Sequence, residues 1–250
     1  LRILLLDIET APNLAYVWGL WQQNIAINQI ENSGYTLCWA AKWLDEPEVF
    51  FDSVHKSKPK RMLERIHKLI SEADAVITYN GIKFDMPTLN KEFLLHGMHP
   101  PAPYKNIDLL QTCKRVFRFP SNKLDYVCQA LGIGHKVRHE GHELWTLCMA
   151  GDKDAWGRMQ AYNETDVTLL ETLYTRLRPW IDRHPNMATR NEDLCCPVCS
   201  SQNYQKRGQA VTTTQKYNRY QCKECGHWFR GNKTTWKAKA GEERFISVPV

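Results

Sequence analysis

Residues 2–10 read RILLLDIET, an apolar run closed by two carboxylates. A run this short and apolar reads as a buried strand. Side chains two apart in a strand leave the same face, so Asp7 and Glu9 stand together at the end of a core element. Two like charges there repel each other and are costly to desolvate. Two further acids stand in comparable places. Asp85 follows Tyr79-Asn80-Gly81, a turn signal just past a second short strand at 75–79. Asp166 lies four residues after Tyr162, which sets both on one helical face. Four convergent carboxylates need cations. Oxygen-only ligands select Mg²⁺ or Mn²⁺, and two such ions about 3.5–4 Å apart stabilise both the attacking and the leaving oxygen of phosphodiester hydrolysis.

Around these positions the pattern alternates between strand and helix. Residues 35–43 and 48–54 read as two strands turning at Asp45-Glu46-Pro47. From Lys60 to Ala73, Met62, Leu63, Ile66, Leu69 and Ile70 recur on one helical face. Helices are also expected at 86–97, where Gly97 is the stop, at 124–131, and over a long stretch from 152 to 183. A further strand end is expected at 106–110. The aromatic segment 11–34 shows no clear period and reads as a long surface loop. Three strands, a helix, a strand and more helices imply an α/β domain with a mixed sheet covered by helices.

The segments LLLDIET (4–10), YNGIKFDMPTL (79–89) and YNETDV (162–167) resemble, in order, the three exonuclease motifs of the DEDD superfamily. That superfamily has a ribonuclease H-like fold and resembles the proofreading domains of DNA polymerases. Its DEDDh branch carries His five residues before the last Asp, a position held here by Ala161. Its DEDDy branch carries Tyr four before it, the position of Tyr162, and this sequence resembles that branch. The resemblance implies 3′-to-5′ hydrolysis to nucleoside 5′-monophosphates through two Mg²⁺ or Mn²⁺ ions. By motif match Asp7 bridges both ions, Glu9 and Asp166 complete one site, and Asp85 supports the second largely through water. Tyr162 orients the attacking water, because a phenol of ordinary pKa near ~10 suits positioning better than proton abstraction. DNA is favoured because the motifs most resemble polymerase-type domains. The alternatives are a ribonuclease trimming RNA 3′ ends and a nucleic-acid-binding adaptor with a vestigial nuclease domain. A replication or repair protein is an expected partner, and no membrane is.

Charge marks off the C-terminal part. Residues 1–185 hold 22 basic and 22 acidic side chains, whereas 186–250 hold 11 and 5, which is the whole net charge of +6. Such asymmetry points to an appended polyanion-binding segment. Within it, Cys196-Pro-Val-Cys199 and Cys222-Lys-Glu-Cys225 are two C-x-x-C units separated by 22 residues. That spacing suits a Cys₄ zinc ribbon with one structural ion, and a segment this small needs the metal to fold. Cys195 is the spare thiol and His227 a weaker substitute ligand. Lys206, Arg207, Lys216, Arg219, Lys223, Arg230, Lys233, Lys237 and Lys239 are interleaved with Tyr204, Tyr217, Tyr220, Trp228, Phe229 and Trp236. Cations among aromatics suit a surface that tracks the nucleic-acid backbone and stacks bases. The other reading is a solvated face with its aromatics in the ribbon's core. The expected domains are therefore 1–185, the nuclease, and 186–250, the ribbon with its basic tail.

The remaining features are less specific. Asp108 is either a fifth site carboxylate or a strand-end or helix cap. His135, His139, His142, Glu140 and Glu143 match no metalloenzyme spacing and read as an exposed loop, in which Lys136 and Arg138 can touch phosphate. Trp18 and Trp21 read as core or interface aromatics or as stacking platforms for a terminal base. Cys38, Cys113, Cys128 and Cys148 stand singly among apolar neighbours, as buried thiols do. No stretch reaches the ~18 apolar residues of a membrane span. A reducing, cytoplasmic location is the expectation.

Overall fold

The computed structural model describes residues 1–137, 140–190 and 193–236, so Arg138, His139, Lys237 and Lys239 lie outside the described residues. The chain forms two compact units, Leu1–Arg176 and Leu177–Val250. Among the described residues, no helix is long and apolar enough to cross a membrane.

In the first unit the chain runs β1 (Ile3–Thr10), β2 (Leu14–Ala15), β3 (Ile30–Asn32), β4 (Thr36–Trp43), β5 (Val49–Ser53), α1 (Pro59–Glu72), β6 (Ala75–Thr78) and α2 (Asp85–Leu95). It continues through β7 (Lys105–Asp108), α3 (Leu109–Val116), α4 (Leu124–Ala130), α5 (His142–Met149) and α6 (Lys153–Leu177). Five strands form one sheet in the order β5-β4-β1-β6-β7, with β1 at its centre. The β1–β4 and β4–β5 pairs are antiparallel, and β1–β6 and β6–β7 are parallel. This is the mixed sheet flanked by helices of a ribonuclease H-like α/β fold.

The period of two in β1 divides its labour. Leu4, Leu6 and Ile8 enter one core cluster with Met62, Ile66 and Ile70 of α1 and Met86 and Leu89 of α2. The alternate positions Asp7 and Glu9 leave the opposite face. On that side a second cluster joins Leu37 and Cys38 of β4 to Leu144 and Cys148 of α5 and Ala155, Trp156, Met159 and Tyr162 of α6. α1 forms where Pro59 presets the first helical φ and four apolar side chains share a face. β4 is buried along its whole length, including Lys42, whose ammonium pairs with Glu171 of α6 at 2.9 Å.

Several expected elements come out differently. Residues 11–34 are not a bare loop: β2 and β3 form a two-stranded ladder, and Gln29 ties the segment by donating to the Tyr16 carbonyl at 2.9 Å and accepting from the Ala26 amide at 2.8 Å. Trp18 and Trp21 are not core residues, being 99% and 86% exposed. The 106–110 strand stops at Asp108, and His142 and Glu143 open helix α5 rather than lying in a loop. The last helix ends at Leu177, because Pro179 lacks the N–H a helix needs, and the chain passes into a 3₁₀ turn at Arg178–Trp180.

The second unit contains β8 (Tyr204–Val211), β9 (Lys216–Cys222) and β10 (Trp228–Trp236), an antiparallel sheet in the order β10-β9-β8.

Asp108 resolves as a cap. Its carboxylate accepts from the amides of Leu110 at 3.0 Å and Asn80 at 2.9 Å, so it starts α3 and pins the turn after β6. That turn is tight: a Cβ on Gly81 would lie 2.2 Å from Thr78 Oγ1. Asp108→Ala should destabilise the protein by about 2–3 kcal/mol, ~1 from the cap and the rest from the turn amide left without an acceptor. The urea midpoint reads this, and Asp108→Asn, which keeps one carbonyl acceptor, should recover most of it.

Candidate active site

β1, α6 and α2 deliver the acidic groups. Carboxylate oxygens of Asp7, Glu9 and Asp166 all lie within 4.8 Å of one another. Asp166 is 1% exposed, whereas Asp7 and Glu9 are partly buried. Asp85 stands outside this trio as the first residue of α2. The turn at Asn80-Gly81 carries it to β1, where its Oδ1 accepts from the Ile8 amide at 3.2 Å. β6 pairs with β1 only as far as Leu5, and Asp85 takes up the Ile8 amide beyond it.

Tyr162 is buried one helical turn before Asp166, with the Trp145 ring edge-on at 6.0 Å. Lys136 Nζ donates to the Tyr162 hydroxyl at 2.9 Å and to Asp166 Oδ2. Lys136, read from sequence as a phosphate contact, is thus the ammonium inside the carboxylate cluster. Burial works against its charge, but Asp166 and Tyr162 outweigh burial and hold its pKa above the ordinary range. Asn163 adds a contact that sequence reasoning missed, donating from Nδ2 to Asp7 Oδ2 at 2.6 Å. Its signal lay in YNETDV, three residues before Asp166 on the same helical face. Lys136 has no comparable spacing signal.

Four carboxylates facing one ammonium cannot all ionise comfortably. Burial first, and then the charges of Glu9, Asp85 and Asp166, raise the Asp7 pKa well above the carboxylate range. Burial pushes Glu9 up to about 8 against the pull of Lys136, and pushes Asp85 up to about 7 despite its bond from the Ile8 amide. Burial, followed by the Asp166 charge, raises Tyr162, so its phenol stays protonated at neutral pH. An all-oxygen donor set under this repulsion fits a hard divalent cation. The fully buried Asn163 Oδ1, which has no partner among the described residues, adds an acceptor that a hydrated ion's water can meet.

The four cysteines of the second unit form a separate centre. Sγ atoms of Cys196, Cys199, Cys222 and Cys225 lie within 4.8 Å of one another, with Cys196–Cys225 at 3.7 Å and Cys199–Cys222 at 3.6 Å. A tetrahedron with ~2.3 Å metal–sulfur bonds has edges of about 3.8 Å, so the donor set fits such an ion. Ser200 and Gly226, each directly after a C-x-x-C unit, adopt positive φ of 59° and 79° and turn the two knuckles. Cys195 and His227 lie outside the set, and His227 Nδ1 is 3.0 Å from the Pro179 carbonyl oxygen.

A mixed five-stranded sheet with acids gathered at its central strand defines an α/β protein with a candidate divalent-cation site. Residues 4–178 match the family model of the RNase_H superfamily, and the chain belongs to that superfamily. No curated protein matches it. Among solved structures, the family B DNA polymerase from the hyperthermophilic archaeon Pyrobaculum calidifontis is similar in fold, with a TM-score of 0.54 and 20% identity. That match takes in 72% of this chain and 25% of the polymerase chain.

The repulsion has a thermal signature. Glu9 titrates higher in the folded protein than in the unfolded chain, so without divalent metal its charge costs stability progressively as pH rises towards about 8. Glu9→Gln should therefore be nearly neutral at about pH 5 and raise the melting temperature of chelator-treated protein by several degrees at about pH 8. The same substitution should shrink the gain in melting temperature that Mn²⁺ gives the parent. Thermal scans with chelator and with Mn²⁺ at both pH values check this.

Proposed function

We propose that the chain is a two-metal-ion 3′–5′ exonuclease that releases nucleoside 5′-monophosphates, with DNA as the favoured substrate. The observation that carries this reading is the convergence of Asp7, Glu9 and Asp166 oxygens within 4.8 Å. Asp7, Glu9, Asp85 and Asp166 would hold Mg²⁺ or Mn²⁺, and these ions supply the positive charge that phosphodiester hydrolysis demands at both reacting oxygens. Tyr162 keeps its proton, so it acts by hydrogen-bonding and aiming the attacking water. Lys136 holds the Tyr162 hydroxyl and Asp166 in register. Superfamily membership and the fold likeness to a DNA polymerase support a nuclease acting on nucleic acid.

The second unit is, on this reading, a zinc ribbon that grips the strand. Its sulfur geometry supports one Zn²⁺. Among the described residues Lys206, Arg207, Lys216, Arg219, Lys223, Arg230 and Lys233 are all exposed. Arg219 lies over the Trp228 ring at 5.0 Å and Arg230 over Tyr217 at 3.9 Å.

Incubating 3′- and 5′-labelled DNA and RNA with Mg²⁺ or Mn²⁺ tests the activity. The expected result is stepwise shortening from the 3′ end, and no shortening of any substrate would refute it. Asp7→Ala should lower the rate by at least ~10³-fold, the upper end of the loss of one electrostatic group, while leaving binding largely intact. Tyr162→Phe should cost about 10²-fold, as misplacement of a reacting group does. The purified chain should carry one zinc, and a second unit that is folded but metal-free would refute the ribbon.

A further inference from the structure

The ribbon carries a cleft of about 470 Å³ on one face of its three-stranded sheet. The register sets which side chains meet there. Tyr220 pairs directly with Phe229, and Asn218 lies two residues from Tyr220 on the same face. Their rings stack at 5.7 Å with 23° between the planes, and Tyr204 from β8 meets both edge-on at 5.6 and 5.7 Å. Arg219 and Arg230 pair with each other and share the opposite face, where they cover Trp228 and Tyr217. One face thus carries the Tyr204, Tyr220 and Phe229 cluster and the other the arginine–aromatic pairs, with Arg230 and Lys233 at the margin of the cleft.

Two observations point to a ligand in the cleft. Its wall contains the Asn218 amide, whose Oδ1 is buried and has no hydrogen-bond partner among the described residues. A buried acceptor left unmade is costly, and an incoming N–H removes that cost. Leu194, which also lines the cleft, is 83% exposed, so an apolar wall stands ready to be covered. Lys233 completes the lining with a cation. The volume is in the range of single small-molecule sites, well below what a folded partner or a duplex groove needs.

We propose that this cleft takes one unpaired nucleobase of a nucleic-acid strand. The ring cluster offers aromatic surface to the base. The Asn218 amide, donor and acceptor at once, meets a base edge. Lys233 meets the attached phosphate. An apolar peptide would leave both the unpartnered Asn218 Oδ1 and the cation unused. The pocket makes the ribbon a single-strand grip, and it rests on the reading of the chain as a nuclease whose ribbon holds substrate.

The test uses the full chain carrying Asp7→Ala, so that the strand survives, with a 5′-fluorescein single-stranded DNA as probe. Adding Asn218→Leu, which keeps the branched shape but replaces the amide with an apolar group, should weaken binding about tenfold, the scale of losing one stacked base. The salt dependence should nearly keep its slope, because every phosphate-facing cation is retained and at most the Lys233 contact is weakened. Metal content of one zinc per chain in both proteins checks that the ribbon is intact. In parallel, an abasic analogue walked along the strand should weaken binding to the Asp7→Ala chain at one position, and Asn218→Leu should erase that position's effect. Unchanged affinity with Asn218→Leu, together with no abasic-sensitive position, overturns the pocket while leaving the nuclease reading standing. Failure of the Asp7→Ala chain to bind any strand overturns the ribbon grip and the pocket with it.

Discussion

Asp7 and Glu9 leave one face of the central strand into a partly buried space beside α5 and α6, and the surrounding architecture answers their repulsion. Asn163 donates to Asp7, and Lys136 brings its ammonium to Asp166 and the Tyr162 hydroxyl. These contacts are too few to neutralise four carboxylates: burial holds Asp7, Glu9 and Asp85 above the carboxylate range, and the neighbouring acids add to it at Asp7 and Glu9. A fold that keeps such a group without divalent metal sacrifices stability, and natural proteins retain costs of that kind at functional sites. A divalent cation bound among these acids would relieve that cost, so on the proposed reading the same ion would serve the fold and the chemistry.

The second unit meets the opposite difficulty. It has little apolar material: the buried residues Cys196, Val198 and Cys222, with Cys199, Cys225 and Phe229 partly buried beside them, make its cluster. Four sulfurs at tetrahedral spacing stand where a larger domain would place leucines. Metal–thiolate bonds can supply the folding free energy that so small a core lacks. Asp7, Glu9 and Asp166 present hard oxygen donors and the four cysteines present soft sulfur donors, so the two groups would select different ions by ligand chemistry.

Much of this is legible in the sequence, and the misses have physical causes. β1 and β4–β5 announce themselves because burial forces apolar or β-branched residues into short runs bounded by turn chemistry. Strand and helix periods set Asp7 beside Glu9 and Tyr162 beside Asp166, and the resemblance to the DEDD motifs is what joins the two pairs into one site. α3 and α5 escape notice because each buries only a few residues, such as Leu144 and Cys148 of α5, too few to establish a period. The β2–β3 ladder is shorter still, tied by the Gln29 side chain, which no propensity scale anticipates. Lys136 is invisible as a site residue because its position depends on tertiary packing of the connection between α4 and α5, and a lone lysine carries no spacing to read.

Charge gives the two units a common logic. The first 185 residues are neutral by count, with 22 basic and 22 acidic side chains, which by itself suits a polyanion substrate poorly. Four of those acids, Asp7, Glu9, Asp85 and Asp166, gather near one another, and two divalent ions there would shift the local balance by about four positive charges. On the proposed reading, metal loading would turn the face that receives phosphate from repulsive to attractive. In the ribbon the attraction is permanent, written into lysine and arginine around a sulfur-held core. On that reading, a strand held by fixed charge in one unit would be admitted to the other only when its metals are present, so cutting would wait on the cations that catalyse it.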